Sequence, residues 1–80
     1  MQKKQTYTLE EIEELKNWFN SHQDIIPDTM QIDKSAYSPN LKNTIHALIE
    51  QAYVCYENPK MQGGILLLLK IKANLDEMHP

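Results

Sequence analysis

Three stretches of the chain place apolar residues at helical spacing, and the long stretch between the first two does not. In the first, Ile12, Leu15, Trp18 and Phe19 fall on one broad face at 100° per residue, with Glu10, Glu13, Asn17 and Asn20 opposite. Thr8 and Glu11 have the spacing of a capping box, in which each side chain satisfies a backbone donor of the other. Tyr7 and Ile12 occupy the hydrophobic staple positions around that cap. Glu10, Glu11, Glu13 and Glu14 crowd the first turns, where the helix dipole favours negative charge. The pattern predicts a helix over residues 9–21.

Ser38-Pro39 reads as a second start, an N-cap serine followed by proline at the first helical position, where a missing N–H costs nothing. Leu41, Ile45, Leu48, Ile49, Ala52, Cys55 and Tyr56 then share a face, which predicts a helix over residues 39–57. Asn58-Pro59 repeats the device, and Pro59 pushes Asn58 out of the helical region, so the second helix stops there. The third helix is expected over residues 60–77, with Met61, Ile65, Leu68, Ile71, Leu75 and Met78 as its main stripe. Gly63-Gly64 interrupts it at a cost of about 1 kcal/mol per glycine. Either the pair admits a neighbouring helix or the true start lies near residue 64; a continuous helix is the expectation.

Residues 22–37 show no helical period, although Ile25, Ile26, Met30 and Ile32 suit a segment laid over the core. Met30-Gln31-Ile32 has the make-up of a short strand but no evident partner, so the segment is expected to be an irregular connector. The predicted fold is all-α. It is a compact three-helix domain spanning residues 1–80, with residues 1–6 as a frayed polar tail and the second and third helices as an antiparallel hairpin.

One pattern exceeds what a lone core requires. Leu66, Leu69 and Ala73 form a second stripe on the third helix, more than about 100° from the centre of the main one, and Leu67 flanks the other side. Either residues 25–32 cover this surface or another chain does.

Charge and composition narrow the function. At 80 residues, the chain holds one domain with a small core. Eight lysines and no arginine face eleven acidic residues, a net charge of −3, so neither a basic face for phosphates nor bidentate base readers are supplied. The start has no apolar signal core, and the run Ile65-Leu66-Leu67-Leu68-Leu69 falls far short of the roughly 20 residues that span a bilayer. A single cysteine excludes an internal disulfide or a multi-cysteine zinc site. The expected compartment is the cytoplasm.

The remaining chemistry has plain readings. His22, His46 and His79 do not converge with other ligands, and His46 lies one turn before Glu50 as an ordinary i, i+4 pair. Cys55 sits near a helix C-terminus, which disfavours a thiolate, so it reads as a small buried apolar residue. Asp24, Asp28 and Asp33 lack the spacing and the glycine of a calcium loop and suit turns. Gly63-Gly64 has no phosphate-loop context. No catalytic residue, metal site, cofactor or small-molecule substrate is expected.

The run from Thr8 to Phe19, Thr-Leu-Glu-Glu-Ile-Glu-Glu-Leu-Lys-Asn-Trp-Phe, together with Asn58-Pro59 and Leu68-Leu69-Lys70-Ile71-Lys72, resembles a family of short uncharacterised proteins of Bacteroidetes, a domain of unknown function. The likeness spans residues 7–76 and excludes the connector. It implies a helical, intracellular bacterial protein without assigned chemistry and transfers no functional residue. The expected function is contact with a protein partner or with a second copy of the chain, centred on Leu66, Leu69 and Ala73. The alternative is a small regulator touching nucleic acid through Lys60, Lys70 and Lys72.

Overall fold

A computed structural model describes residues 6–79. In order, it contains helix α1 (Leu9–Ser21), a 3₁₀ turn (Gln23–Ile25), strands β1 (Met30–Asp33) and β2 (Ala36–Ser38), and helices α2 (Leu41–Cys55) and α3 (Gly63–Met78). Most of the predicted frayed tail, residues 1–5, lies outside the described residues.

The first helix forms as its signals dictate. Glu11 N donates to Thr8 Oγ1 at 3.2 Å, and Thr8 N donates to Glu11 Oε1 at 3.0 Å. Ile12, Leu15 and Phe19 are buried, and Tyr7 packs against the same core. Tyr7 N also donates to Tyr56 O at 2.9 Å, which ties the entrance of α1 to the end of α2.

The expectation of an all-α fold with an irregular connector is wrong. Residues 30–38 form an antiparallel hairpin, pairing Met30 with Ser38, Gln31 with Tyr37 and Asp33 with Ala36, with an irregularity between Gln31 and Asp33. The fold is therefore mixed, three helices with a two-stranded sheet. Met30 and Ile32 point into the core while Gln31 faces out, the two-residue alternation of a half-buried strand. The turn needs no glycine. Asp33 Oδ1 accepts from Ser35 N at 2.8 Å and from Ser35 Oγ at 3.0 Å, an Asx-type closure. Gln31 Nε2 reaches Ala36 O at 3.1 Å and braces the pair.

That strand partner also corrects the second helix. Ser38 is no N-cap; it ends β2, buried, with its hydroxyl 2.7 Å from Thr44 Oγ1. The cap position is Asn40, and Leu41 N donates to Asp28 O at 2.9 Å, so α2 begins at Leu41 rather than at residue 39. At its far end α2 stops at Cys55 rather than at residue 57. Asn58 does not cap α3 either. Its carbonyl accepts from Met61 N and its side chain from Lys60 N, both at 3.0 Å, a β-turn with Pro59 at the second position. The third helix consequently starts at Gly63, not at residue 60.

Both readings of the glycine pair hold in part. The helix starts at Gly63, and a Cβ on Gly64 would meet Gln51 Oε1 at 3.1 Å and Leu48 Cδ2 at 3.3 Å, so α3 approaches α2 closely there. Leu41, Ile45, Ile65, Leu68, Ile71 and Leu75 fill the space between the two helices and the rest of the core. The α1 helix closes on α2, and β1 closes on α3. No helix among the described residues is long and apolar enough to cross a membrane.

Candidate functional site

The third helix presents four environments around its circumference. Its buried stripe is Ile65, Leu68, Ile71 and Leu75, all fully enclosed. On one flank lies the hairpin. Lys70 Nζ meets Asp33 Oδ2 at 2.8 Å, and Asn74 Nδ2 donates to Ile32 O at 3.0 Å. On the opposite flank lies α1, and between the two helices is an open cleft of about 270 Å³. The fourth face is open. Leu66 is 50% exposed, and Ala73 is also exposed.

Leu15 and Trp18 of α1 and Leu69 of α3 form the apolar walls of the cleft, with Tyr7 at one end. Glu11 and Glu14 line the α1 side and Lys72 the α3 side, so the opening carries both signs of charge. Trp18 is held from several directions. It meets Phe19 edge-on with centroids 5.2 Å apart, and the His22 ring stacks on it at 4.0 Å and 15°. Lys72 Nζ lies 5.4 Å from the indole centroid, within cation–π range. His22 Nδ1 lies 2.6 Å from Trp18 O, a donor contact when that nitrogen carries the proton.

The expected stripe is thus only partly brought together. Leu69 is half-buried, packs against the core and lines the cleft, while Leu66 and Ala73 lie outside it. The hairpin covers the Lys70–Asn74 flank and leaves Leu66 uncovered among the described residues. The three lysines do not share a surface. Lys70 turns toward β1, Lys72 toward α1, and Lys60 sits in the turn before α3.

The other candidates fall where their plain readings put them. His46 and Glu50 form an exposed pair at 3.1 Å, and Cys55 is a buried free thiol. No group of three or more His, Cys, Asp or Glu among the described residues could hold a metal ion. The Asp33 carboxyl is held well below its ordinary value. The Lys70 ammonium, then the Ser35 backbone and hydroxyl donors, lower it from 3.8 to about 2. The sequence reading missed the cleft because Trp18 and Tyr7 read as ordinary core and staple positions. The available signal was the size of Trp18 and Tyr7 at the edge of a broad apolar face.

A family model described as a domain of unknown function, DUF6965, matches residues 10–77. No curated protein and no solved structure matches the chain.

Proposed function

The chain belongs to the DUF6965 family of unknown function, and on that premise we propose that it is a non-catalytic protein–protein interaction module that docks through the open face of α3. The observation that carries this reading is Leu66, half exposed in the first turn of α3 and in line with Leu69 and Ala73. Burying that face removes apolar area from water at roughly 25 cal/mol per Å², before the costs of association. The adjoining cleft, with its fixed indole, extends the apolar surface toward α1. The proposed setting is the bacterial cytoplasm, where the Cys55 thiol stays reduced. Nucleic-acid contact through Lys60, Lys70 and Lys72 draws less support, since two of the three point to opposite flanks of α3 and are engaged there.

The test is a photo-crosslinking amino acid at position 66, with exposed Val54 on α2 as the control position. Covalent protein adducts from 66, absent from 54, support the reading. Adducts from neither position, in cells and with the purified chain alike, overturn it.

A further inference from the structure

We propose that the occupant of this face is a second copy of the chain, with the two α3 helices packed antiparallel about a twofold axis between Leu69 and Lys70. The proposal rests on the docking reading above and adds the partner and the register. Along the edge where the open face of α3 meets the cleft, Leu66, Leu69, Ala73 and Asp76 alternate at spacings of three and four, the seam of a paired helix. In the antiparallel register, Leu66 of each copy lies opposite Ala73 of the other. Ala73 is small and exposed, and so leaves room for the leucine.

Charge selects this partner and this direction. The third helix has no acidic residue in its first turn and no side-chain cap on its N-terminus, while exposed Lys60 stands just before it. Its last turn has no basic residue, and exposed Asp76 and Glu77 lie near that end. Both ends oppose the helix's own dipole. At a rise of 1.5 Å per residue, Asp76 lies about 10 Å from the proposed axis and Gly63 about 10 Å on the other side. The antiparallel pair therefore sets the carboxylates of each copy beside the uncapped N-terminus and Lys60 of the other. A Cβ on Gly63 would meet nothing within 4 Å, so that N-terminus is open to approach. Parallel pairing would instead stack carboxylate on carboxylate. Twofold symmetry makes the exchange twice. A single helix-on-helix contact is smaller than the roughly 800 Å² per partner of a stable complex, so the dimer is weak and concentration-dependent.

Sedimentation equilibrium on the purified full chain, from about ten micromolar to one millimolar, tests the partner. A monomer–dimer equilibrium that Leu66→Glu or Leu66→Gln weakens at least about tenfold, and that added salt also weakens, supports it. Circular dichroism confirms that the variants fold. The register is read by mixing a Leu66→Cys chain with an Ala73→Cys chain under mild oxidation; Cys55 is buried and stays in place. A mixed disulfide forming ahead of either homodimer supports the antiparallel pair, and a preferred Leu66→Cys homodimer overturns it. A wild type that stays monomeric throughout overturns the second copy as occupant. In that case adducts to another protein from position 66 keep the docking reading, and their absence removes both.

Discussion

The side-chain amide of Asn74 donates to the carbonyl of Ile32 at 3.0 Å, across 42 residues of sequence. This bond, with the neighbouring Lys70–Asp33 pair, fastens the hairpin to α3. Asn74→Ala leaves that carbonyl without its donor and is expected to cost about 1 kcal/mol. Urea unfolding with an unchanged m-value checks it, and amide exchange should rise first in β1 and β2.

Asp33 gives the fold a defined acid response. Its carboxyl is held at about 2 in the folded chain against 3.8 when free, chiefly by Lys70 and then by Ser35. A lowered folded pKa stabilises at pH above the unfolded value, and that contribution is lost as pH falls from about 4 through about 2. Carboxyl NMR titration should place Asp33 near the lower value, and Lys70→Met should return it toward 3.8. Asp33→Asn should flatten the pH dependence of stability in the same window. An Asp33 that titrates with the ordinary carboxylates would refute this account.

Leu66 and Leu68, two positions apart on α3, should behave as opposites. Leu68 is fully buried, and Leu68→Ala should cost about 2–5 kcal/mol through lost burial and a residual cavity. Leu66 is half exposed, and Leu66→Ala should change monomer stability by no more than about 0.5 kcal/mol. Thermal unfolding of both variants at low protein concentration makes the comparison.

The two glycines should also separate. Gly63 has open space and no positive φ, so Gly63→Ala should stabilise by roughly 0.5 kcal/mol through reduced unfolded-state freedom. On Gly64 the new methyl presses against the ends of Gln51 and Leu48, at 3.1 and 3.3 Å, which offsets the same gain. The expected order of melting temperatures is Gly63→Ala above Gly64→Ala.

Thr8→Ala should cost about 1 kcal/mol by opening one half of the capping box. A double-mutant cycle with Glu11→Ala should show costs close to additive, since each side chain bonds a backbone N–H that the other substitution leaves in place.

What could be read in advance follows from where each signal resides. The first helix was fully legible, because its cap, its staple and its apolar face all lie within residues 7–21 and agree. The hairpin was not. Its turn uses Asp33 and Ser35 instead of a glycine, and β2 ends on Ser38, a residue equally suited to starting a helix. The starts of α2 and α3 were misplaced for a related reason. Pro39, two residues before α2, and Pro59, four residues before α3, look like prolines at a first helical position until the hydrogen bonds of Asn40 and Asn58 are seen. At the open face, periodicity revealed Leu66 and Ala73, but not that Leu69 lines a cleft, since the standoff of α1 from α3 is a matter of packing.

Gln62 spreads its amide over the carbonyls of Cys55, Tyr56 and Asn58, fastening the exit of one helix to the entry of the next. All three partners lie within seven positions along the chain, so closing this corner sacrifices little chain entropy. The contacts of α1 with α2 close a longer loop and cost more chain entropy than this corner. Residues 41–78 alone would keep the bonds of that bend but lose the lid over it, because Ile12, Leu15 and Phe19 of the core come from α1.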